Sequence, residues 1–324
     1  MINQFRNLNP LNLVLLALVA LVLRIGIFIN LPESLEFSLF EPYAGLLINL
    51  PANLFTPLAN VVYAMAIVLI QAIMFNRLVN AYNLLAKPTF VPALMYVTTS
   101  TLLEPFVVLN PALIANFFVL WIMNKFLSIY RRDNVLPVLY DLGMIIAIGT
   151  FIYFPFIGML PLIWINLIIF RPFNWREWVA GLVGFITICF FIGTFYYLTD
   201  SLDSFFKTVP LVTNLHKNFH INIYDYIVLI PLLAILMLSV FSLRQKFYRS
   251  NVHVRKSYFT LLFMLIFAIF SIYLKKQFSF YHFLLAVPPV SVFMAHFFIG
   301  STRRWFYESL YILLAAFIIY LQFV

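Results

Sequence analysis

An arginine and a group of carboxylates near the N-terminus are the residues whose types and spacing offer chemistry. Arg24 lies inside an apolar stretch, and the segment that follows has no Lys or Arg but three acids, Glu33, Glu36 and Glu41. Inserting an arginine at a helix centre costs about 2.5–3.5 kcal/mol on translocon scales and less near the interface. Two interpretations stay open for Arg24. Either it snorkels to the outer headgroups, or it has a partner inside the bundle, which is a carboxylate or a ligand phosphate.

Two acids that precede prolines are the candidates for catalysis. Glu41-Pro42 and the apolar YAGLLINL that includes Tyr43 predict a short interfacial helix with Glu41 at its positive N-terminus. Glu104 stays close to the bundle because its loop is very short. Without a function, Glu41 would be a helix cap and Glu104 a solvated turn residue. With a function, the two carboxylates together could hold a divalent cation or divide acid and base roles. Arg24 is expected about 9 Å below the outer surface, so we predict that it shares one polar cavity with Glu41 and Glu104.

The remaining ionisable residues give weaker signals. His282 and His296 share one predicted span, but they are roughly 21 Å apart along a helix and cannot share a metal. No residue is therefore predicted as a metal ligand from the histidines. Asp141 is expected to pair with Arg131 or Arg132, which precede its helix by one to two turns.

The composition indicates which elements must position these residues. The chain has 324 residues, of which 64% are hydrophobic and 10% charged. Soluble domains carry roughly 25% charged residues, so lipid must be the main solvent of this chain and helices its elements. The net charge of +9 is spread over short segments. It therefore indicates topology signals and anionic-lipid contacts, and no nucleic-acid partner is predicted.

Hydropathy predicts an all-α, polytopic membrane bundle of about 11 spans. We place them at about 12–30, 57–75, 89–104, 110–127, 135–154, 156–171, 177–198, 223–243, 257–274, 280–299 and 307–323. Most Lys and Arg residues fall on one side, so the positive-inside rule predicts a cytoplasmic N-terminus and a periplasmic C-terminus in a bacterial inner membrane. A second long outer loop divides the chain into modules 1–200 and 201–324.

Two resemblances follow from particular stretches. RNLNPLNLVLLALVALVLRI and FRPFNWREW resemble an uncharacterised family of multi-spanning inner-membrane proteins of Bacteroidetes-type bacteria, which implies a location and no activity. Over about residues 12–200, LVLRIGIF with its acidic loop and VPALMYVTTSTLLEPFVVLNPALIANFFVLWIMN resemble the start of the GT-C glycosyltransferases. Members of that family transfer sugars from polyprenyl-phosphate donors at the outer membrane face.

The GT-C resemblance implies roles for particular residues. Glu41, or Glu36, would be the base or metal ligand and Glu104 a second acid. Phosphate contacts would come from Arg24, Lys275 and Lys276. The cofactor is unknown, with Mg²⁺ or Mn²⁺ as the candidate. Because the family's first-loop Asp or Asp-Asp/Glu is absent here, an inactive relative stays open. The alternative is a non-enzymatic membrane subunit with a membrane-protein partner, or a lipid or solute transporter.

Overall fold

The computed structural model describes residues 1–31, 55–85, 87–130, 132–208, 229–247, 251–274 and 279–323, and helices form within the apolar stretches of these ranges. The described residues contain no β-strand, so the prediction of an all-helical fold is confirmed. The helices are α1 (Ile2–Phe5), α2 (Leu11–Val22), α3 (Ile25–Ile29), α4 (Pro57–Ala81), α5 (Val91–Thr99), α6 (Pro111–Ser128), α7 (Leu136–Ile152), α8 (Leu162–Phe170), α9 (Trp175–Leu198), α10 (Leu202–Thr208), α11 (Leu229–Phe247), α12 (Val252–Phe270), α13 (Val287–Gly300) and α14 (Arg304–Leu321).

A polar cap followed by proline starts two of the long helices. The Thr56 side chain accepts a hydrogen bond from the Ala59 N–H at 3.3 Å at the start of α4. Asn110 does the same for the Leu113 N–H at 2.8 Å at the start of α6. In both helices proline occupies the first position, where its missing N–H leaves no helical bond unmade. These starts are therefore fixed by local sequence.

Six apolar segments in the described part of the chain are long enough to cross a membrane, which agrees with the prediction of a multi-spanning membrane protein. They are Pro57–Ala81, Pro111–Ser128, Trp175–Leu198, Val252–Leu274, Phe280–Gly300 and Arg304–Leu321. The total of about 11 spans, the GT-C arrangement, the orientation of the termini and the two modules stay predictions. The interfacial helix predicted at Glu41 lies outside the described residues.

The first predicted span is not one continuous helix. It is divided into α2 and α3, and Arg24 stands at the break with φ −113° and ψ 10°. The sequence predicted a single helix over 12–30 because its apolar run continues through this point. The break therefore places Arg24 at an irregular backbone position and not on a regular helical turn.

Helix α5 lies at the centre of the bundle. All of its nine residues are buried, and it packs against α4 on one side and α13 on another. The Thr98 hydroxyl lies 3.1 Å from the Tyr311 hydroxyl, and the Thr99 hydroxyl lies 2.8 Å from the Ser291 hydroxyl. Such bonds satisfy polar groups that neither water nor lipid can reach.

Helix α9 lies at the edge of the bundle and packs mainly on α7. It exposes a set of large apolar side chains that suit contact with lipid: Ile186, Phe190, Phe191, Tyr197 and Leu198. Its inner face carries Gly181 and Gly184, which meet Gly143 and the backbone of Tyr140 on α7. Small residues of this kind let two helix backbones approach closely in a membrane.

Contacts between the connections define two ends of the bundle. At the basic end, the Met1 ammonium lies 3.1 Å from a Glu308 carboxylate oxygen, and the Phe90 N–H donates to the Phe5 carbonyl at 2.9 Å. The connections and helix ends here carry Arg6, Lys87, Lys125, Arg132, Arg171, Arg176, Arg255, Lys256, Arg303 and Arg304.

Four short 3-10 segments form the opposite end, called the far end below. They pack in two pairs, Glu104–Phe106 with Phe280–Ala286 and Phe154–Met159 with Ser271–Leu274. Each interrupts or flanks a helix, so the 3-10 segments of the described chain are concentrated at this end.

The glycine contact between α7 and α9 gives a testable expectation. A Cβ on Gly143 would lie 1.9 Å from the Gly181 carbonyl oxygen, and backbone atoms cannot swing away as a side chain can. Gly143→Ala should therefore destabilise the protein by about 1–3 kcal/mol, as other overpacked sites do. The measurement is the apparent melting temperature in mild detergent.

The matched control is Gly193→Ala on α9, since a Cβ at Gly193 meets nothing within 4 Å. Its melting temperature should equal or exceed that of the wild type because alanine favours a helix over glycine. Equal melting temperatures for the two variants would contradict the close helix contact.

Candidate functional site: a buried arginine at a helix break

Arg24 is completely buried, with 0% of its side chain exposed. Its Nη1 donates a long hydrogen bond of 3.4 Å to the Ala20 carbonyl oxygen, one turn earlier in α2. Nε and Nη2 have no hydrogen-bond partner in the structure as described. The side chain therefore does not snorkel to headgroups. It is held inside the protein as a cation with almost no acceptors.

Gln322, at the end of α14, holds the chain on both sides of the break. Its Oε1 accepts from the Gly26 N–H at 3.0 Å, and its Nε2 donates to the Leu23 carbonyl at 2.6 Å. A side chain at Gly26 would bring a Cβ within 2.4 Å of the Gln322 Cβ, so glycine is required for this close contact. Sequence reasoning missed Gln322. Its only signal was a lone amide at the end of an apolar helix.

The ion pairs in the described regions leave Arg24 out. They join Met1 and Arg304 to Glu308, Lys125 to Asp141, and Arg171 to Glu177, all at the basic end. An uncompensated buried charge costs several kcal/mol. A side chain retained at that cost is a candidate for binding an anion that arrives from outside the described protein.

Glu104 lies on the surface at the far end. Its 3-10 segment follows α5 after a short connection, residues 100–103, and packs against the Phe280–Ala286 segment. Arg24 lies towards the same end, since Gln322 beside it follows the last residue of α14, and Glu308 near the start of α14 meets Met1 at the basic end. The two residues thus share one end of the bundle. The common cavity with Glu41 stays a prediction.

Several predicted site residues lie outside the described residues. They are Glu33, Glu36 and Glu41 of the acidic loop, and Lys275 and Lys276. The two lysines follow the Ser271–Leu274 segment directly in the chain and precede Phe280–Ala286, the segment against which Glu104–Phe106 packs.

His282 is a fully bonded structural residue at the far end. Its Nε2 lies 2.8 Å from the Ala268 carbonyl, which can only accept, so Nε2 carries the proton. Nδ1 then accepts from the Tyr153 hydroxyl at 3.0 Å, and the Ser271 hydroxyl lies 3.2 Å from Nε2. The described residues contain no group of three or more His, Cys, Asp or Glu that could hold a metal.

Asp141 pairs with Lys125 and not with Arg132, one of its two predicted partners, while Arg131, the other, lies outside the described residues. The Asp141 Oδ2 lies 2.6 Å from Lys125 Nζ, near the end of α6. Helices α6 and α7 pack side by side, which brings together residues that are distant in sequence. Arg132 instead accepts, through its backbone carbonyl, a hydrogen bond from Arg171. The cation that pairs with Asp141 therefore comes from the neighbouring helix α6.

The contrast between Arg24 and Gln322 predicts opposite effects on stability. Arg24→Met keeps the apolar stem and removes unpaired donors, so it should raise the stability by about 1–3 kcal/mol. Gln322→Leu leaves the Gly26 N–H and the Leu23 carbonyl without partners and should lower it by a similar amount, about 1–3 kcal/mol. Thermal unfolding in detergent measures both. A loss of stability in Arg24→Met equal to that in Gln322→Leu would show that the guanidinium is paired after all.

Comparisons with known proteins give a family and no activity. Searches among curated proteins and among solved structures found no match. A family profile described as a family of unknown function, DUF6427, matches residues 43–324, which is most of the chain. This match gives no evidence for the Bacteroidetes-type or GT-C resemblance. The chain belongs to the DUF6427 family.

Proposed function

We propose that this membrane protein binds the phosphate of a polyprenyl-linked sugar or a related lipid, and acts on that lipid at the outer membrane face. The observation that carries the proposal is the buried guanidinium of Arg24, with two nitrogens lacking acceptors in the described structure. Guanidinium groups bind phosphate with two parallel charge-assisted hydrogen bonds. A lipid phosphate would supply the acceptors that Arg24 lacks.

Entry of the phosphate requires an opening, since Arg24 is covered. Helix α3 is only five residues long and follows the break directly. Gln322 accepts one hydrogen bond and donates another across the break, and these two bonds tie the break to α14. Movement of α3, which adjoins Arg24 in the chain, is our proposed route for uncovering the guanidinium. The proposal therefore assigns α3 as the movable cover of the site.

The remaining roles follow the chemistry of a lipid-linked sugar. Glu41 is assigned as base or metal ligand and Glu104 as a second acid, while Lys275 and Lys276 are further phosphate contacts. Glu104 supports this assignment by lying on the surface at the end of the bundle that holds Arg24. A divalent cation, Mg²⁺ or Mn²⁺, fits the oxygen ligands that two carboxylates and a phosphate provide.

A second candidate function is that of a carrier or a non-catalytic subunit. It is favoured by the broken helices at the far end, where α2 is divided from α3 and where α13 follows a 3-10 segment and carries Pro288 and Pro289 in its first turn. Interrupted helices of this kind form the substrate sites of many transporters. This candidate needs Arg24 for binding but needs no catalytic carboxylate.

Both candidate functions require that Arg24 binds a lipid phosphate, so a lipid-binding experiment tests both. Native mass spectrometry of the purified protein with added polyprenyl phosphate should show a bound lipid for the wild type. Arg24→Gln should weaken binding by about ten-fold or more, because hydrogen bonds to charged groups contribute about 1.5–3 kcal/mol. The control is Arg176→Gln, which removes an exposed arginine at the basic end. Failure of the wild type to bind, or equal binding by Arg24→Gln, would overturn the proposal.

Lipid-linked glycan profiles in cells separate the two candidates. If the protein is a transferase, Glu104→Gln and Glu41→Gln should each change the profile as a gene deletion does, while polyprenyl phosphate binding is retained. A deletion that changes the profile, together with carboxylate variants that behave as wild type, would exclude the catalytic version and leave the carrier.

A further inference from the structure

A cavity of about 380 Å³ opens at the basic end, between α1, the connection before α5 and the end of α13. Its volume falls in the range of small-molecule sites, about 300–1,000 Å³. Apolar contacts come from Leu85 and Ile299, and the polar lining consists of Asn3, Arg6, Asn7, Lys87, Thr89 and His296. It lies at the end of the bundle opposite to Arg24.

The charged side chains of this lining are all basic. Arg6 and Lys87 supply two cations, the asparagines supply amide donors, and the described residues of the lining include no Asp or Glu. Glu308, an acid near the start of the adjacent α14, is already engaged by the Met1 ammonium at 3.1 Å and by Arg304 at 3.2 Å. The cavity thus concentrates positive charge that no carboxylate of the lining neutralises.

Arg6 is held in position before any ligand arrives. Its Nη2 donates to the Phe298 and Ser301 carbonyls at 2.5 and 2.7 Å, and its guanidinium lies 4.2 Å from the centre of the Tyr307 ring. Its Nε is buried and has no hydrogen-bond partner in the described structure. A fixed guanidinium loses little side-chain entropy on binding, which favours an oxyanion partner such as a phosphate.

The wall formed by the connection before α5 is also fixed. Asn80 exchanges two hydrogen bonds with the Thr89 backbone, donating to its carbonyl at 3.0 Å and accepting from its N–H at 3.2 Å. The next residue, Phe90, donates its N–H to the Phe5 carbonyl of α1 at 2.9 Å. The cavity is therefore a built feature of the fold, joined across its walls by backbone bonds.

We propose that this cavity is a binding site for a phosphate mono- or diester, held by Arg6 and Lys87 with the asparagine amides as further donors. Phosphate oxygens accept charge-assisted bonds from both cation types. The basic end is the predicted cytoplasmic side, so both a soluble phosphate ester and the headgroup of an anionic lipid can reach it. The site is independent of the function proposed for Arg24, since it uses other residues at the other end of the bundle.

Binding is tested with the full-length protein in nanodiscs of zwitterionic lipid. Inorganic phosphate and glycerol phosphate are titrated by calorimetry, and a second set of nanodiscs contains phosphatidylglycerol, whose bound fraction is read by mass spectrometry of co-purified lipid. The first arm reports a soluble ester and the second a lipid headgroup. The wild type should bind in at least one arm.

The decisive variant is Asn3→Asp, which introduces a carboxylate into the cavity lining at an exposed position with almost no change in volume. Lys87→Gln removes an exposed cation. Each should weaken binding about ten-fold or more, since hydrogen bonds to charged groups contribute about 1.5–3 kcal/mol. The control is Asn9→Asp, which adds the same charge next to α2 but does not line the cavity. Its affinity should match that of the wild type.

Two results would overturn the site. One is the absence of binding by the wild type in both arms. The other is an affinity of Asn3→Asp that equals that of Asn9→Asp, because the added charge would then act on the whole basic end and not in the cavity. If Asn3→Asp fails to fold, Lys87→Gln against the far-end control Lys207→Gln decides the question in the same assays.

Discussion

A helix with no exposed residue must find partners for its polar side chains within the protein, and this bundle is built around one such helix. Tyr96 of α5 donates to Gln71 of α4 at 3.0 Å, and Gln71 in turn donates to the Leu113 carbonyl of α6 at 2.7 Å. Thr98 and Thr99 reach α14 and α13. Because hydrocarbon offers no substitute partner, these bonds fix the positions of four helices around α5, and the rest of the bundle packs outside them.

Arg24 is an exception to this rule, because it is buried but lacks most of its hydrogen-bond partners in the described structure. Gln322 and His282 are equally deep in the protein, yet each has both of its polar atoms bonded. Arg24 makes one long bond and leaves two nitrogens without acceptors in the described structure. A structural role would be served as well by an apolar residue of similar volume, since buried charges seldom add stability. The retained charge therefore favours a ligand.

The two ends of the bundle offer different environments for an anion. At the far end the cation is fully buried beside the short helix α3, so the proposed binding requires an opening. At the basic end the cavity is already open, and Arg6 is fixed by carbonyls and an aromatic ring. A buried site gains strength from exclusion of water, whereas an open one is screened by salt. The first arrangement suits a lipid that stays in the bilayer, and the second suits exchange with the aqueous side.

The sequence alone determined the class of this protein and its helix positions, because both depend on local properties. The low content of charge fixes lipid as the solvent, and caps such as Asn110-Pro111 mark helix starts that the structure places within a residue of the predicted spans. Tertiary structure decided which distant residues meet. Lys125, and not Arg132, pairs with Asp141 among the described residues because α6 lies beside α7. The break at Arg24 depends on Gln322, from the other end of the chain, and no pattern within residues 12–30 could reveal a partner that only packing supplies.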